Sequence, residues 1–224
     1  MKPRSSVWWP MPKRFSAEPL RVQVGVLLSG CGHYDGTDVQ EAVLCGLALD
    51  RLGARVVGLA PRRAQLHTVD HTLGDEMESS SRDIHRESAR IFHDRVHPVP
   101  GYPLETLQGL VVPGGFGGAK NLMTAFARPG EKREVQADAS AVLEHFLSKR
   151  KPVGVVGLGE IPLLALMGLP LEDPQIGPDP LAVSVDLEKR IVATPGFKSF
   201  SRVSEVAAGI DAMVEALKKM MEES

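Results

Sequence analysis

The chain is poor in cysteine and has no long apolar run, and each shortage excludes a class of protein. Its two cysteines, Cys31 and Cys45, lie outside any CxxC or Cys/His spacing, which argues against structural zinc and indicates a reducing compartment. The longest apolar runs, residues 153–158 and 161–169, are far shorter than a membrane span. The sequence therefore predicts a soluble protein that does not cross a membrane.

An excess of basic charge is also absent. The chain has 26 Lys and Arg residues against 28 Asp and Glu residues, so no domain-wide basic field is available to hold phosphate backbones. We therefore expect no nucleic-acid partner. With 224 residues, of which 43% are apolar, the chain has the size of one α/β domain with a sizeable core.

Acidic residues are missing from the first 17 positions, which contain four basic residues, several serines and two tryptophans. This balance is typical of an organellar presequence. Three prolines, Pro3, Pro10 and Pro12, would interrupt the amphipathic helix that import receptors read. Residues 1–17 are therefore either a mitochondrial presequence or a disordered tail, and residues 18–224 are expected to form the domain.

The order of the predicted elements indicates an α/β fold. Residues 21–29 form a nearly continuous apolar run, as expected for a parallel strand covered on both faces. A helix capped at Thr37 or Asp38 follows, and residues 54–60 predict a second strand. This strand, helix and strand form one right-handed βαβ unit, so we expect a doubly wound, mostly parallel sheet with helices on both faces.

Residues 151–164 predict a buried strand, a tight glycine turn and an apolar helix. In many hydrolytic and transferase folds this corner is a nucleophile elbow, where a Ser or Cys is held on a strained turn. The corner here contains no Ser, Cys or Thr.

A second glycine-rich corner, residues 113–121, follows the predicted strand 109–112. Such a corner leaves backbone N–H groups exposed to an oxyanion or a carboxylate. The alternative interpretation is a tight turn with no ligand.

Two other kinds of site are not favoured. Gly30, Gly32 and Gly36 follow a strand, but their GxGxxxG spacing and the lack of an acidic residue after the second strand argue against a dinucleotide cofactor. The histidines of the region between residues 61 and 100 match no ligand spacing, so we predict packing or surface roles and no bound metal. They are His67, His71, His85 and His93.

Cys31 is a candidate nucleophile because it lies at the end of the first strand near a helix N-terminus, a position that lowers a thiol pKa. The alternative is a small thiol buried in a turn. Cys45 falls inside the first helix, where core packing is the expected role.

Several runs closely resemble the PfpI-type branch of the class I glutamine-amidotransferase-like superfamily that contains the bacterial glyoxalase ElbB and the vertebrate mitochondrial ES-one proteins. The resemblance extends over nearly all of the chain from Arg21 onward. It rests on residues 28–37, 69–72, 87–91, 113–122 and 194–195. It implies a single flavodoxin-like domain and, for a protein of animal origin, a location in mitochondria, with the cytoplasm as the alternative.

The same resemblance shows what is missing. The family elbow reads roughly Gly-x-x-Cys-Ile-Ala-Pro, and its Cys position is Gly157 here, preceded by Val156. The family glutamate on the first helix is assigned to Asp38. The oxyanion corner at Gly114 and Gly115 is kept, with Leu158 beside it, whereas a strand-and-helix portion is replaced by residues 169–180.

Glycine offers no side chain to attack a carbonyl, although it relaxes a turn in which a side chain costs roughly 1–3 kcal/mol. We therefore expect a non-catalytic homologue, a pseudoenzyme, that binds a small carbonyl or carboxylate metabolite or a protein partner, without a cofactor and as a homo-oligomer. The alternative is a glyoxalase or deglycase-like enzyme that uses Cys31 or Glu160.

Overall fold

The computed structural model of the chain describes residues 22–78, 81–93, 96–124, 133–170, 179, 181–199 and 202–223. The predicted presequence or tail, residues 1–17, lies outside the described residues, as does most of the replaced segment 169–180.

A seven-stranded sheet forms the centre of the protein, in the order β5-β2-β1-β6-β7-β9-β8. All neighbouring strands are parallel except β8, which runs antiparallel to β9 at one edge. The strands are β1 (Gln23–Leu27), β2 (Arg55–Pro61), β5 (Val96–Val99), β6 (Gly109–Val112), β7 (Val153–Val156), β8 (Ser184–Asp186) and β9 (Ile191–Thr194). A separate antiparallel pair consists of β3 (Val69–Asp70) and β4 (Asp75–Glu76).

Helices cover both faces of this sheet. They are α1 (Val39–Arg51), α2 (Ile84–Phe92), α3 (Gly117–Lys120), α4 (Ala137–Ser148), α5 (Ile161–Leu166) and α6 (Val203–Glu222). Buried residues of α1, α2 and α6 form one core cluster, and those of α4 and α5 form the cluster on the other face. The predicted doubly wound, flavodoxin-like architecture is therefore confirmed.

Strand composition explains why the centre of the sheet was predictable. β6 and β7 are buried at every position, and β1 is buried at all but its first residue. A strand covered by helices on both sides has no polar face, so it appears in the sequence as an unbroken apolar run. At the edge of the sheet, β8 and β9 form an antiparallel pair.

The orientation of α1 differs from what its apolar positions suggest. Asp38 caps the helix as predicted, but Val39, Val43 and Leu47 are exposed. The buried stripe is Glu41, Ala42, Cys45, Ala48 and Leu49. Helix α1 packs closely against α6, which favours a buried stripe of mostly small residues. In this orientation the side chain of Glu41 points into the interior.

None of the helices within the described ranges is both long and apolar enough to span a bilayer.

Candidate functional site

The predicted elbow is a real corner of the backbone. β7 ends at Val156, a 3-10 turn covers Gly157–Glu160, and α5 begins at Ile161. Gly157 is buried and has φ +49°, in the left-handed region that residues with side chains adopt rarely. The strand, turn and helix are as predicted, and a glycine occupies the point where the chain reverses.

Two groups stand where a side chain at Gly157 would project. A β-carbon at this position would lie 2.9 Å from the carbonyl oxygen of Pro195 and 3.4 Å from Oε1 of Glu41. The first distance is too short for an ordinary carbon contact, so a side chain here would displace the segment that follows β9. The space that a family cysteine would need is occupied by backbone and by a carboxyl group.

Glu41 is held by two backbone donors from distant parts of the chain. The N–H of Gly114 donates to Oε2 at 2.7 Å, and the N–H of Phe197 donates to Oε1 at 2.8 Å. The side chain is almost completely buried, and this burial raises the pKa of Glu41 to about 7, although the two N–H bonds act in the opposite direction. Glu41 thus ties α1 to the corners after β6 and β9.

Three glycines surround this carboxyl group, and we call Gly114, Gly157 and Gly196 the Glu41 cradle. A β-carbon at Gly114 would lie 2.5 Å from Oε2, and one at Gly196 would collide with Oε1. The carboxyl group fits because these three positions carry no side chain. Gly157 is therefore one wall of an internal carboxyl site.

Asp38, the position assigned to the family glutamate, lies elsewhere. Its Oδ1 accepts the N–H groups of Gln40 and Glu41 at 2.9 and 3.0 Å, which makes it the N-cap of α1. Its Oδ2 lies 2.8 Å from Nδ1 of His33. The residue that faces Gly157 is Glu41, three residues further along the helix.

Asp38 and His33 hold each other in their charged forms. Burial opposes ionisation of Asp38, but the bonds from His33 and from the helix N-terminus outweigh it, so the pKa of Asp38 lies below its ordinary value. The hydrogen bond to Asp38 in turn raises the pKa of His33.

The predicted oxyanion corner is used internally. The N–H of Gly114 is bonded to Glu41. Gly115, at φ +96°, packs against the backbone of residues 36–38, so that a β-carbon there would lie 2.5 Å from the carbonyl oxygen of Gly36. Leu158 is half-buried, and its backbone nitrogen would lie 3.1 Å from a β-carbon at Gly114. The three predicted residues thus lie close together, and the N–H of one of them, Gly114, is directed at a carboxyl group of the protein itself.

The alternative nucleophiles are placed differently. Glu160 is buried at the end of the 3-10 turn. Cys31 is half-buried, and its charged neighbours include Glu87 and Arg90 of α2. Burial, followed by the charge of Glu87, raises the pKa of Cys31, which is the opposite of what thiolate chemistry needs. Cys45 is wholly buried in the core, and its pKa is raised well above the ordinary value.

A groove of about 590 Å³ opens beside the N-terminus of α1. Phe197 belongs both to this groove and, through its N–H, to the Glu41 site. The groove is lined by Gly32, His33, Asp38, Val39, Gln40, His71 and Phe197.

Two of the histidines considered as metal ligands, His67 and His85, have individual partners. His67 Nδ1 lies 2.9 Å from Glu76, and His85 Nε2 lies 3.1 Å from the carbonyl oxygen of Val96. Within the part of the chain that the structure describes, no group of three or more His, Cys, Asp or Glu residues is placed to hold a metal ion.

Sequence reasoning missed Glu41. The pattern Asp38-x-x-Glu41 looks like a capping box, which assigns both acids to the helix end. A usable signal was present in Ala42, Cys45 and Ala48, small residues at helical spacing that continue the stripe begun by Glu41.

Comparison with solved structures defines the class of this fold. A protein from Ehrlichia chaffeensis, described as an isoprenoid biosynthesis protein with an amidotransferase-like domain, superposes with a TM-score of 0.81 at 26% identity, covering 88% of this chain and 99% of that one. A DJ-1/ThiJ/PfpI-like and ferritin-like two-domain protein from Anabaena variabilis shares the fold at a TM-score of 0.52 and 14% identity, over 88% of this chain and 48% of that one. The class is therefore the amidotransferase-like flavodoxin fold.

Sequence relatives narrow this class to a family. The ES1 protein homolog, mitochondrial, of Rattus norvegicus is 33% identical over 234 aligned positions, which cover 92% of this chain and 86% of that protein. The human glutamine amidotransferase-like class 1 domain-containing protein 3, mitochondrial, is also 33% identical, over 88% of this chain and 83% of its own length. The chain belongs to this ES1 family of glutamine amidotransferase-like proteins, as the resemblance implied.

The names of both relatives also bear out the mitochondrial location that the resemblance implied. A separate comparison with protein-family models found none that matches the chain.

Proposed function

We propose that this chain is a non-catalytic member of its family that binds a small carbonyl or carboxylate metabolite in the groove beside α1. The observation that carries the proposal is Gly157, which has no side chain and lies against the carboxyl group of Glu41 and the carbonyl oxygen of Pro195. A thiol-dependent reaction needs its nucleophile at this corner.

The state of the oxyanion corner supports the same conclusion. A backbone N–H stabilises a developing oxyanion only when it is directed at the substrate. The N–H of Gly114 is bonded at 2.7 Å to Glu41, so an acceptor of the protein itself already occupies this donor. The corner therefore has neither a thiol at Gly157 nor an unoccupied N–H at Gly114, and both facts support the proposal.

The test is turnover of glyoxal and methylglyoxal by the purified chain, measured with Gly157→Cys, Cys31→Ser and Glu160→Gln alongside. We expect consumption by the unmodified chain to equal the buffer rate. Activity that appears only in Gly157→Cys would show that the cleft has lost nothing but its thiol. Turnover by the unmodified chain would overturn the proposal.

One observation favours the second candidate, an enzyme that uses other groups. Glu160 is a buried carboxylic acid in the same 3-10 turn as Gly157, where it could serve as a base. In that case turnover by the unmodified chain would be abolished by Glu160→Gln or by Cys31→Ser, and the variant that abolishes it would identify the group.

Three further features belong to the proposal. Residues 1–17 act as a transit peptide, and residues 18–224 form one domain; sequencing the N-terminus of the mature protein from mitochondria tests the first of these. The chain also associates with a second copy, which the exposed apolar residues Val43 and Leu47 of α1 support. A monomeric mass in light scattering would contradict self-association.

A further inference from the structure

The groove beside α1 contains one imidazole whose orientation is fixed. The ionised carboxylate of Asp38 can only accept a hydrogen bond, so Nδ1 of His33 carries the hydrogen between them, at 2.8 Å. The other oxygen of Asp38 is anchored by the first N–H groups of α1. This arrangement leaves Nε2 as the ring nitrogen of His33 that a ligand can contact, on a side chain that is 43% exposed.

The second imidazole of the groove is already satisfied. Nδ1 of His71 lies 3.1 Å from the carbonyl oxygen of Val69, which only accepts, so Nδ1 carries the hydrogen. Nε2 of His71 accepts the N–H of Tyr34 at 3.2 Å. His71 therefore forms part of the wall, and recognition of a polar head group falls to His33, with the amide of Gln40 beside it.

Apolar surface completes the groove. Val39 is 39% exposed here, and the half-buried Phe197 forms another part of the lining. Phe197 is fixed by its N–H bond to Glu41, so this apolar surface is held at a set distance from α1. The ring of His33 is itself held edge-on by Tyr34 and Phe116, with centroid distances of 5.2 and 5.6 Å.

From these contacts we propose that the groove binds small monocarboxylates with an apolar body, the carboxylate bonded to Nε2 of a protonated His33 and the body lying on Val39 and Phe197. This inference rests on the proposed function and specifies its ligand. A carboxylate is favoured over a neutral carbonyl because a hydrogen bond between two charged groups is roughly twice as strong as a neutral one.

The charges around His33 set the pH range of binding. The nearest acid, Asp38, is hydrogen-bonded to His33 and raises the pKa of this histidine. The imidazolium of His33 therefore persists to a higher pH than that of an isolated histidine. A carboxylate ligand should therefore bind below this pKa and be lost as the pH rises through it. The titratable groups that act on or contact His33 are Asp38, Glu41 and Tyr34. His71 and Lys120 lie one ring further away, against Tyr34 and Phe116, and Asp35 lies beside His71.

The experiment is calorimetric titration of the full chain with phenylacetate, using 2-phenylethanol as the matched neutral probe. We expect phenylacetate to bind at least about tenfold more tightly than 2-phenylethanol near pH 6, and this difference to shrink as the pH rises through the raised pKa of His33. His33→Gln should abolish both the preference and its pH dependence. His97→Gln, an exposed histidine outside the groove, should change neither.

Asp38→Asn removes the carboxylate that bonds His33 but keeps the N-cap of α1, because asparagine is also a good N-cap. The variant therefore tests the role of Asp38 toward His33 without disturbing the helix. Near pH 5 this variant should bind phenylacetate as well as the parent does. As the pH rises, its binding should be lost at a lower pH than the binding of the parent. No binding of phenylacetate, equal affinity for both probes, or unchanged binding by His33→Gln would overturn the inference. These results are independent of glyoxal turnover, so a failure of the ligand assignment is distinct from a failure of the non-catalytic proposal.

Discussion

The carboxyl group of Glu41 faces Gly157 across the corner that follows β7, where a β-carbon would stand 3.4 Å from Oε1. Glu41 is bonded on its other sides to the N–H groups of Gly114 and Phe197. The relationship makes Gly157 part of a packed internal site, and several measurable consequences depend on it.

Titration of Glu41 should make the protein less stable as the pH rises. Its pKa is about 7 in the folded chain against an ordinary value of 4.5, so the folded state retains a proton that the unfolded state releases. The stabilisation is complete below the lower pKa and is lost as the pH rises through the higher one, by about 3 kcal/mol. Urea unfolding between about pH 5 and about pH 8 measures this slope.

Glu41→Gln is the diagnostic variant for that slope. It removes the titrating group, so this part of the pH dependence should disappear. The amide also places a donor against one of the two backbone N–H groups and should therefore lower stability at low pH. Asp50→Asn, at an exposed position of α1, should keep the slope of the parent. An identical slope in Glu41→Gln would contradict the assignment.

Gly157→Ala should destabilise the fold by about 1–3 kcal/mol. Its methyl group would meet the carbonyl oxygen of Pro195 at 2.9 Å, in addition to the cost of φ +49°. Gly53→Ala is the matched control, because Gly53 has φ +76° but nothing within 4 Å of its β-carbon position. Chemical unfolding should show the larger loss for Gly157→Ala, and a loss no greater than that of Gly53→Ala would refute the packed corner.

Asp38→Ala should cost about 0.5–2 kcal/mol because α1 loses its N-cap, whereas Asp38→Asn should cost much less. Both variants should lower the pKa of His33, since the hydrogen bond to the carboxylate is the largest cause of its raised value. NMR titration of the imidazole resonances measures the second effect. A His33 pKa that stays unchanged in both variants would rule out the Asp38 pair.

Cys31 should react slowly with iodoacetamide at neutral pH, because burial raises its pKa and keeps it in the thiol form. The modification rate should still be increasing at pH values above the pKa of a small free thiol. Cys31→Ser should remove the signal. Cys45 is wholly buried and should label only on unfolding. Rapid labelling of Cys31 at neutral pH would contradict this prediction and would support Cys31 as a candidate nucleophile.

Most of the fold could be predicted from the sequence because the central strands have a recognisable apolar pattern. β1, β6 and β7 are apolar runs bounded by glycine, and parallel pairing buries them on both faces. The elbow and the glycine-rich corner were also located correctly, since each follows such a strand.

The site was less predictable because its partners are distant in sequence. Glu41 is buried only because Gly114, 73 residues away, and Phe197, 156 residues away, bring N–H groups to its oxygens. Burying a carboxyl group without such donors is costly, so local reasoning places an acid at the helix end. Val39 and Val43 show the converse, because they are apolar residues of α1 and yet are exposed.

The Glu41 cradle gives the protein a built-in spectroscopic reporter. A protonated carboxylic acid and a carboxylate absorb infrared light at different frequencies, and the carbonyl stretch of the acid shifts with each hydrogen bond that it accepts. Gly114, Gly157 and Gly196 have no side chains, so their backbone segments lie directly against the carboxyl group of Glu41. The vibration of this carboxyl group would therefore respond to small displacements of the three segments. Difference spectra between Glu41→Gln and the parent would then follow the corner through ligand binding without any attached label.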